Sequence, residues 1–316
     1  MARAFVFPGQ GAQVTGMGRD LAAAYPAARA VFEEVDAALG EQLSALVWEG
    51  DQGELTLTRN AQPALMATSI AAMRALEAEG VAVGSAAFVA GHSLGEYSAL
   101  CAAGALALGD AARLLRLRGQ AMQEAVPVGE GAMAALLGLD LAAAEAVAAE
   151  AAAEFAVAGG VCEAANDNDP AQVVVSGSRA AVERAVEIAR GKGAKRALLL
   201  PVSAPFHCAL MQPAAERMAE ALAGVEIGRP VVPLVANVKA AAASDPGEIR
   251  RLLVEQVTGR VRWRESVLWM AGQGVTEAVE VGAGKALSGM IRRIAKEIET
   301  RTVGTPDEVR ALAGEG

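Results

Sequence analysis

The stretch best suited to chemistry is Gly91-His92-Ser93-Leu94-Gly95, a G-x-S-x-G pentapeptide between an apolar run at 86–90 and a helical pattern at 94–107. This spacing describes a sharp strand-to-helix turn that lifts a serine hydroxyl above a sheet. Glycines two residues either side are needed where strand and helix backbones come too close for a Cβ. The helix start beneath offers free N–H groups, which favour developing negative charge. Ser93-x-x-Glu96 also has capping-box spacing, in which the serine would only end a helix.

A serine nucleophile needs a base, and histidine is the usual one. The chain has two histidines. His92 adjoins Ser93, and neighbours across such a turn point in different directions. That leaves His207, within the irregular segment Ser203-Ala204-Pro205-Phe206-His207-Cys208. Its position after the serine fits an α/β-hydrolase-like order. The alternative is a histidine that only makes structural hydrogen bonds.

Arginine supplies the third signal. Asp110 is expected to cap a helix running to about residue 125, stopped near Pro127. Its apolar stripe runs Ala111, Leu114, Leu115, Ala121 and Met122, with Arg118 in the middle and Arg113 and Arg116 off it. An unpaired buried charge costs several kcal/mol, so Arg118 needs acceptors. It either snorkels or pairs with a structural acid, or its partner is a ligand carboxylate.

Nucleotide binding loses its support at the first loop, Pro8-Gly9-Gln10-Gly11. A dinucleotide fingerprint from Gly9 would need glycine at Val14. A phosphate loop from Gly11 would need Lys-Ser/Thr where Met17-Gly18 stand.

The elements that must position these residues follow from the pattern. The 316 residues are 53% hydrophobic and 21% charged, which is globular, and long enough for a large domain with an insert or for two domains. Aromatic residues are only 3%, so the core must be aliphatic and largely helical. A net charge of −9 argues against general nucleic-acid binding. Three scattered cysteines and two histidines make a zinc site unexpected and suit a reducing compartment. No segment has the length of a membrane span or the pattern of a signal peptide, so a soluble cytoplasmic protein is expected.

Strands are expected at 4–7, 86–90, 231–235 and 277–281, with helices at 18–39, 61–79, 245–257 and 263–273 and a long final helix to about 299. Such alternation indicates a parallel sheet, with Gln10, Ser93 and Asn237 gathered at its carboxyl edge. Between them, residues 128–202 read β-α-β-β-α-β, the ferredoxin-like order. The middle strands, 156–165 and 172–177, would be joined by the turn formers Asn166-Asp167-Asn168-Asp169-Pro170. The fold class is therefore α/β: a large α/β-hydrolase-like part (1–127 and 203–316) with a mostly parallel sheet, plus an inserted ferredoxin-like part (128–202).

Five motifs occur in a fixed order: Phe7-Pro8-Gly9-Gln10-Gly11-Ala12-Gln13, Gly91-His92-Ser93-Leu94-Gly95-Glu96, Arg118-Gly119, Asn168 with Val173-Val174-Val175-Ser176-Gly177, and Ala204-Pro205-Phe206-His207. Together, over residues 4 to about 300, they resemble the malonyl-CoA:acyl-carrier-protein transacylases of fatty-acid synthesis, whose closest relatives are polyketide-synthase acyltransferase domains. The resemblance implies two-step, ping-pong acyl transfer. His207 would take the proton of Ser93, which attacks the malonyl thioester, with backbone N–H groups of Gln10 and Leu94 holding the oxyanion. CoA leaves, and the pantetheine thiol of acyl carrier protein then attacks the malonyl-serine. The family orients its histidine with a main-chain carbonyl from a glutamine that best matches Gln256. Arg118 matches the arginine that clamps the malonate carboxylate, Asn168 belongs to the substrate site, and Phe206 limits room for a branched acyl group.

The resemblance further implies malonyl-CoA and acyl carrier protein as partners, no metal or other cofactor, no nucleic acid, no membrane, and a monomer. An acidic carrier would need a local basic patch, for which Arg190, Lys192, Lys195, Arg196, Lys285, Arg292 and Arg293 are candidates. A serine esterase or thioesterase would share Ser93 and His207, but would call for a carboxylate third member and an apolar acyl pocket.

Overall fold

The computed structural model describes residues 2–202 and 204–314; Ser203 and the two chain ends lie outside the described residues. Among the described residues ten strands form two sheets. They are β1 (Ala2–Phe7), β2 (Phe88–Gly91), β3 (Gly131–Leu137), β4 (Cys162–Asp169), β5 (Gln172–Ser178), β6 (Arg196–Leu199), β7 (Leu234–Ala236), β8 (Ala241–Ala243), β9 (Val275–Val281) and β10 (Glu299–Val303). The larger sheet has the order β10-β9-β1-β2-β7-β8 and is parallel except for β8. The smaller is antiparallel, in the order β4-β5-β3-β6. This is the expected α/β class, with a mostly parallel sheet beside an antiparallel one.

Both faces of the large sheet are covered, which is why its strands are apolar without alternation. Along β1, Phe5 and Phe7 point into the main helical core, while Ala4 and Val6 point to a cluster around Trp263 and Val267 on the opposite face. The small sheet does alternate. Ala132, Ala134, Leu136, Val173 and Val175 pack against its own helices, Leu141–Glu154 and Arg179–Gly191. Met133, Ala135 and Val174 point the other way, toward the large sheet.

The two sheets are joined at β4. Asp167 donates its N–H to Val261 O at 2.9 Å, and Val261 returns one to Ala165 O at 2.8 Å. Arg264 pairs with Asp167 at 2.8 Å and Arg293 with Asp169 at 2.7 Å, both aspartates being buried. The run 166–169 is therefore not the expected turn but the end of a strand. Local turn propensity is overridden because these polar side chains find partners on the large part, and the reversal falls at Pro170-Ala171.

Other boundaries move for local reasons. The expected helix over 18–39 is two, Arg19–Ala24 and Pro26–Leu39, because Pro26 forces Tyr25 into an extended conformation. Asp110 does not cap its helix: that helix, Leu108–Glu124, starts after Ala107, and Asp110 sits in its first turn. The long final helix is Ala286–Ile294, followed by β10 and a capped helix, Pro306–Ala313. Among the described residues no helix is long and apolar enough to cross a membrane.

Candidate active site

The pentapeptide forms the turn its glycines demand. A Cβ on Gly91 would lie 2.0 Å from the carbonyl carbon of Gly95, and one on Gly95 would lie 2.3 Å from Phe7 O. Ser93 between them takes a left-handed φ of 54°. Its backbone is pinned from two sides. Ser93 N–H donates to Asn237 Oδ1 at 2.8 Å, and Ser93 O accepts from Gln256 Nε2 at 2.9 Å. The capping box is not formed: Leu94 occupies the cap position of helix Gly95–Ala102, with no side-chain cap bond.

Ser93 Oγ instead meets His207 Nε2 at 2.8 Å. On the other side of the ring, Nδ1 lies 2.8 Å from the main-chain carbonyl of Gln256. A carbonyl only accepts, so Nδ1 carries the ring proton and Nε2 is left free to accept from the serine. His207 is buried, and burial, reinforced by the nearby Arg118 charge, pulls its pKa down to about 3. The imidazole is thus a neutral base at ordinary pH. His92 points away, with Nε2 2.8 Å from Asn168 Oδ1.

Arg118 is 1% exposed and, among the described residues, has no carboxylate in hydrogen-bond contact. Its guanidinium donates to Gln62 Oε1 at 2.9 Å, Gln256 Oε1 at 2.8 Å and Ser93 Oγ at 3.1 Å. All three acceptors are neutral. Arg113 and Arg116, off the stripe, reach the surface acids Asp110 and Glu41. Glu96 is buried behind the serine, accepting from Asn237 N–H and from Gln256 Nε2. Burial pushes its carboxyl up to about 8, while those two donors and Arg118 pull it down. Since both oxygens face N–H donors, we take the carboxylate as the form present.

These groups open onto a cavity of about 490 Å³ between the two sheets. Gln10, Leu94, Phe206 and Asn168 line it together with Ser93, His207 and Arg118. The loop bearing Gln10 is pressed onto the turn, since a Cβ on Gly9 would sit 2.8 Å from His92 O. Among the described residues, neither the Gln10 nor the Leu94 amide donates to another protein group. Such amides beside a nucleophile can hold an oxyanion. A second depression, about 730 Å³ and lined by Arg74, Cys101 and Glu226, holds no nucleophile–base pair. Among the described residues no group of three or more His, Cys, Asp or Glu could hold a metal ion.

A serine hydroxyl against a neutral histidine, beside two amides without a protein partner among the described residues, is an arrangement suited to acyl transfer. The family model for the acyl transferase domain matches residues 4–305. The chain belongs to the acyl transferase domain family. Among curated relatives, the malonyl CoA-acyl carrier protein transacylase of Escherichia coli (strain K12) is 49% identical over 311 residues, covering 98% of this chain and 97% of its own. The solved acyl-carrier-protein-S-malonyltransferase from Bartonella henselae superposes with a TM-score of 0.95 at 57% identity, over 99% of this chain and 100% of its own. A type II PKS acyl-carrier protein in complex with its malonyl-transacylase gives 0.95 at 42% identity, with full coverage of both chains.

The sequence left several residues around this cavity unread. Gln62 is a polar residue inside the apolar helix Thr58–Ala78, a signal that could have marked it. Glu96 closes the second motif and has capping-box spacing, but neither gave it a role in the site. Met133, which also lines the cavity beside Val174, carries no sequence signal beyond its place in a strand. Of the basic candidates for a docking patch, Lys192 pairs with Glu150 and Arg293 with Asp169, while Lys195, Arg196 and Lys285 make no ion pair among the described residues.

Proposed function

We propose that the chain transfers a malonyl group from malonyl-CoA to the pantetheine thiol of an acyl carrier protein, supplying extender units for fatty-acid synthesis. The observation carrying this reading is the buried arginine whose guanidinium lies 3.1 Å from the nucleophile and meets only neutral groups. A fixed positive charge beside the reacting serine suits an acyl group that brings its own carboxylate. The relatives' names give the same substrate.

In the first half-reaction His207 Nε2 takes the Ser93 proton as Oγ attacks the thioester carbonyl. Gln10 and Leu94 amides hold the resulting oxyanion, each donor being worth about 3 kcal/mol. Collapse breaks the carbon–sulfur bond, and the CoA sulfur leaves with the proton from His207. In the second half the carrier thiol gives its proton to His207 and attacks the malonyl-serine ester, and Ser93 regains the proton as its oxygen departs. The Gln256 carbonyl holds His207 in the required tautomer throughout. Phe206 and Asn168 shape the acyl site, with Phe206 limiting a branch. The site lies between a body of 1–127 and 203–316 and an inserted part of 128–202. The same reading has the enzyme acting as a cytoplasmic monomer without metal or other cofactor.

A thioesterase would use Ser93 and His207 too, but it calls for a carboxylate behind the histidine, where this chain has the carbonyl of Gln256. The test is intact mass after brief mixing with malonyl-CoA without acceptor, followed by peptide mapping. A malonyl adduct on the Ser93 peptide, discharged by holo carrier protein, is the expected result. Rapid release of free malonate with no adduct would identify a hydrolase instead.

A further inference from the structure

The catalytic pair and the buried arginine are connected through a carboxylate that touches neither. Glu96 accepts the N–H of Asn237 on Oε1 and the Nε2 of Gln256 on Oε2. A carboxylate has nothing to donate, so it dictates which way the Gln256 amide faces. Nε2 must point at Glu96 and the Ser93 carbonyl, leaving Oε1 for Arg118 at 2.8 Å. A flipped amide would set its NH₂ against the guanidinium, donor against donor. Asn237 is fixed in the same way. With its N–H on Glu96, its side chain takes Ser93 N–H at 2.8 Å and gives a hydrogen bond to Gly91 O at 2.7 Å.

We propose that Glu96 is a positioning residue for acyl-group selection: it locks the Gln256 amide so that Oε1 holds the Arg118 guanidinium beside Ser93. Glu96 is 1% exposed and sits one amide away from an arginine that otherwise meets neutral acceptors. Its charge therefore also compensates Arg118 before a substrate carboxylate arrives. The proposal rests on Arg118 as the partner of the malonyl carboxylate.

The experiment is competition between malonyl-CoA and acetyl-CoA, read as the ratio of the two acyl-enzymes by intact mass. Glu96→Gln keeps the volume but replaces one acceptor with a donor, so one of the two N–H groups loses its partner. The malonyl-to-acetyl ratio should fall by about tenfold or more, with Ser93 still acylated. Gln256→Met keeps the main-chain carbonyl for His207 and removes only the amide; it should lower the ratio similarly. The double variant should be no worse than Gln256→Met alone, because one path is lost only once. A ratio within about twofold of wild type in either single variant, or strictly multiplicative effects in the double, would overturn the proposal. Should Glu96→Gln not fold, Gln256→Met decides by itself, an unchanged ratio sinking the link. Failure of wild type to load malonyl would show up separately, and would count against the function proposed above.

Discussion

Ser93 and His207 share an unusual backbone state: both have positive φ, 54° and 59°, and their side chains meet at 2.8 Å. A left-handed conformation costs an ordinary residue about 1–2 kcal/mol. Two such residues persist here because neighbours hold them, Asn237 and Gln256 on the serine and the Gln256 carbonyl on the histidine. The strain sits where two side chains from segments far apart in sequence must face each other, as the proposed acyl transfer requires.

The first prediction separates strain from chemistry at Ser93. Ser93→Ala and Ser93→Gly should both lose malonyl-enzyme formation, with activity down by about 10⁴-fold or more. Glycine has no Cβ penalty at φ 54°, so Ser93→Gly should resist urea better than Ser93→Ala by about 1 kcal/mol. Equal stability of the two variants would mean the turn stores no strain.

The second concerns pH. Burial, with the Arg118 charge beside it, draws the His207 pKa from the ordinary 6.5 down to about 3. The base is therefore already neutral at pH 6.5, and the acylation rate should show no acid limb near that value. An inflection at the ordinary histidine range in single-turnover malonylation would contradict the buried neutral imidazole. The stability sign follows from the same depression: His207's contribution is full above pH 6.5 and is lost as pH falls toward 3. A melt against pH sums every titrating group, so the acylation rate is the cleaner readout of His207.

Arg118 carries the third. Arg118→Ala should cut malonyl-CoA kcat/KM by about 10²-fold, the worth of a charge-assisted pair, while sparing acetyl-CoA. Arg118→Lys should not restore it, since an ammonium lacks the planar fork that holds Gln62 and Gln256 while pairing a carboxylate bidentately. Equal losses for both thioesters would remove Arg118 from acyl selection.

How much of this was legible in the sequence depended on the range of the physics. The turn at Ser93 could be read because its glycines answer a local steric demand, and Arg118 because a charge on an apolar stripe breaks helical periodicity. The inward face of Gln256 could not be read, since its amide meets Ser93 across 163 residues. Residues 166–169 misled for the same reason. Their composition favours a turn, and only contacts with Arg264, 97 residues on, and Arg293, 124 residues on, make them a buried strand end. Helix ends blurred where alanine supplies high propensity on both sides of a boundary.

The last prediction tests that join. Asp167 is fully buried, and its partner Arg264 is largely covered, whereas Arg293 against Asp169 is about half exposed. Removing one partner of a buried pair strands the other charge, at a cost of about 3–5 kcal/mol. Arg293→Ala also leaves a buried carboxylate, but Asp169 keeps the Ala171 N–H on Oδ1 at 2.9 Å, and water can enter where the half-exposed arginine stood. Arg264→Ala should therefore destabilise the protein clearly more than Arg293→Ala, as measured by urea denaturation. Both aspartates flank Asn168, the residue that holds His92 at 2.8 Å from across the cavity. Arg264→Ala should accordingly slow acylation even where the variant remains folded, because the small sheet is no longer held over the serine. Comparable stabilities for the two variants, with acylation unchanged in Arg264→Ala, would mean that the backbone bonds between β4 and Val261 suffice to hold the sheets together.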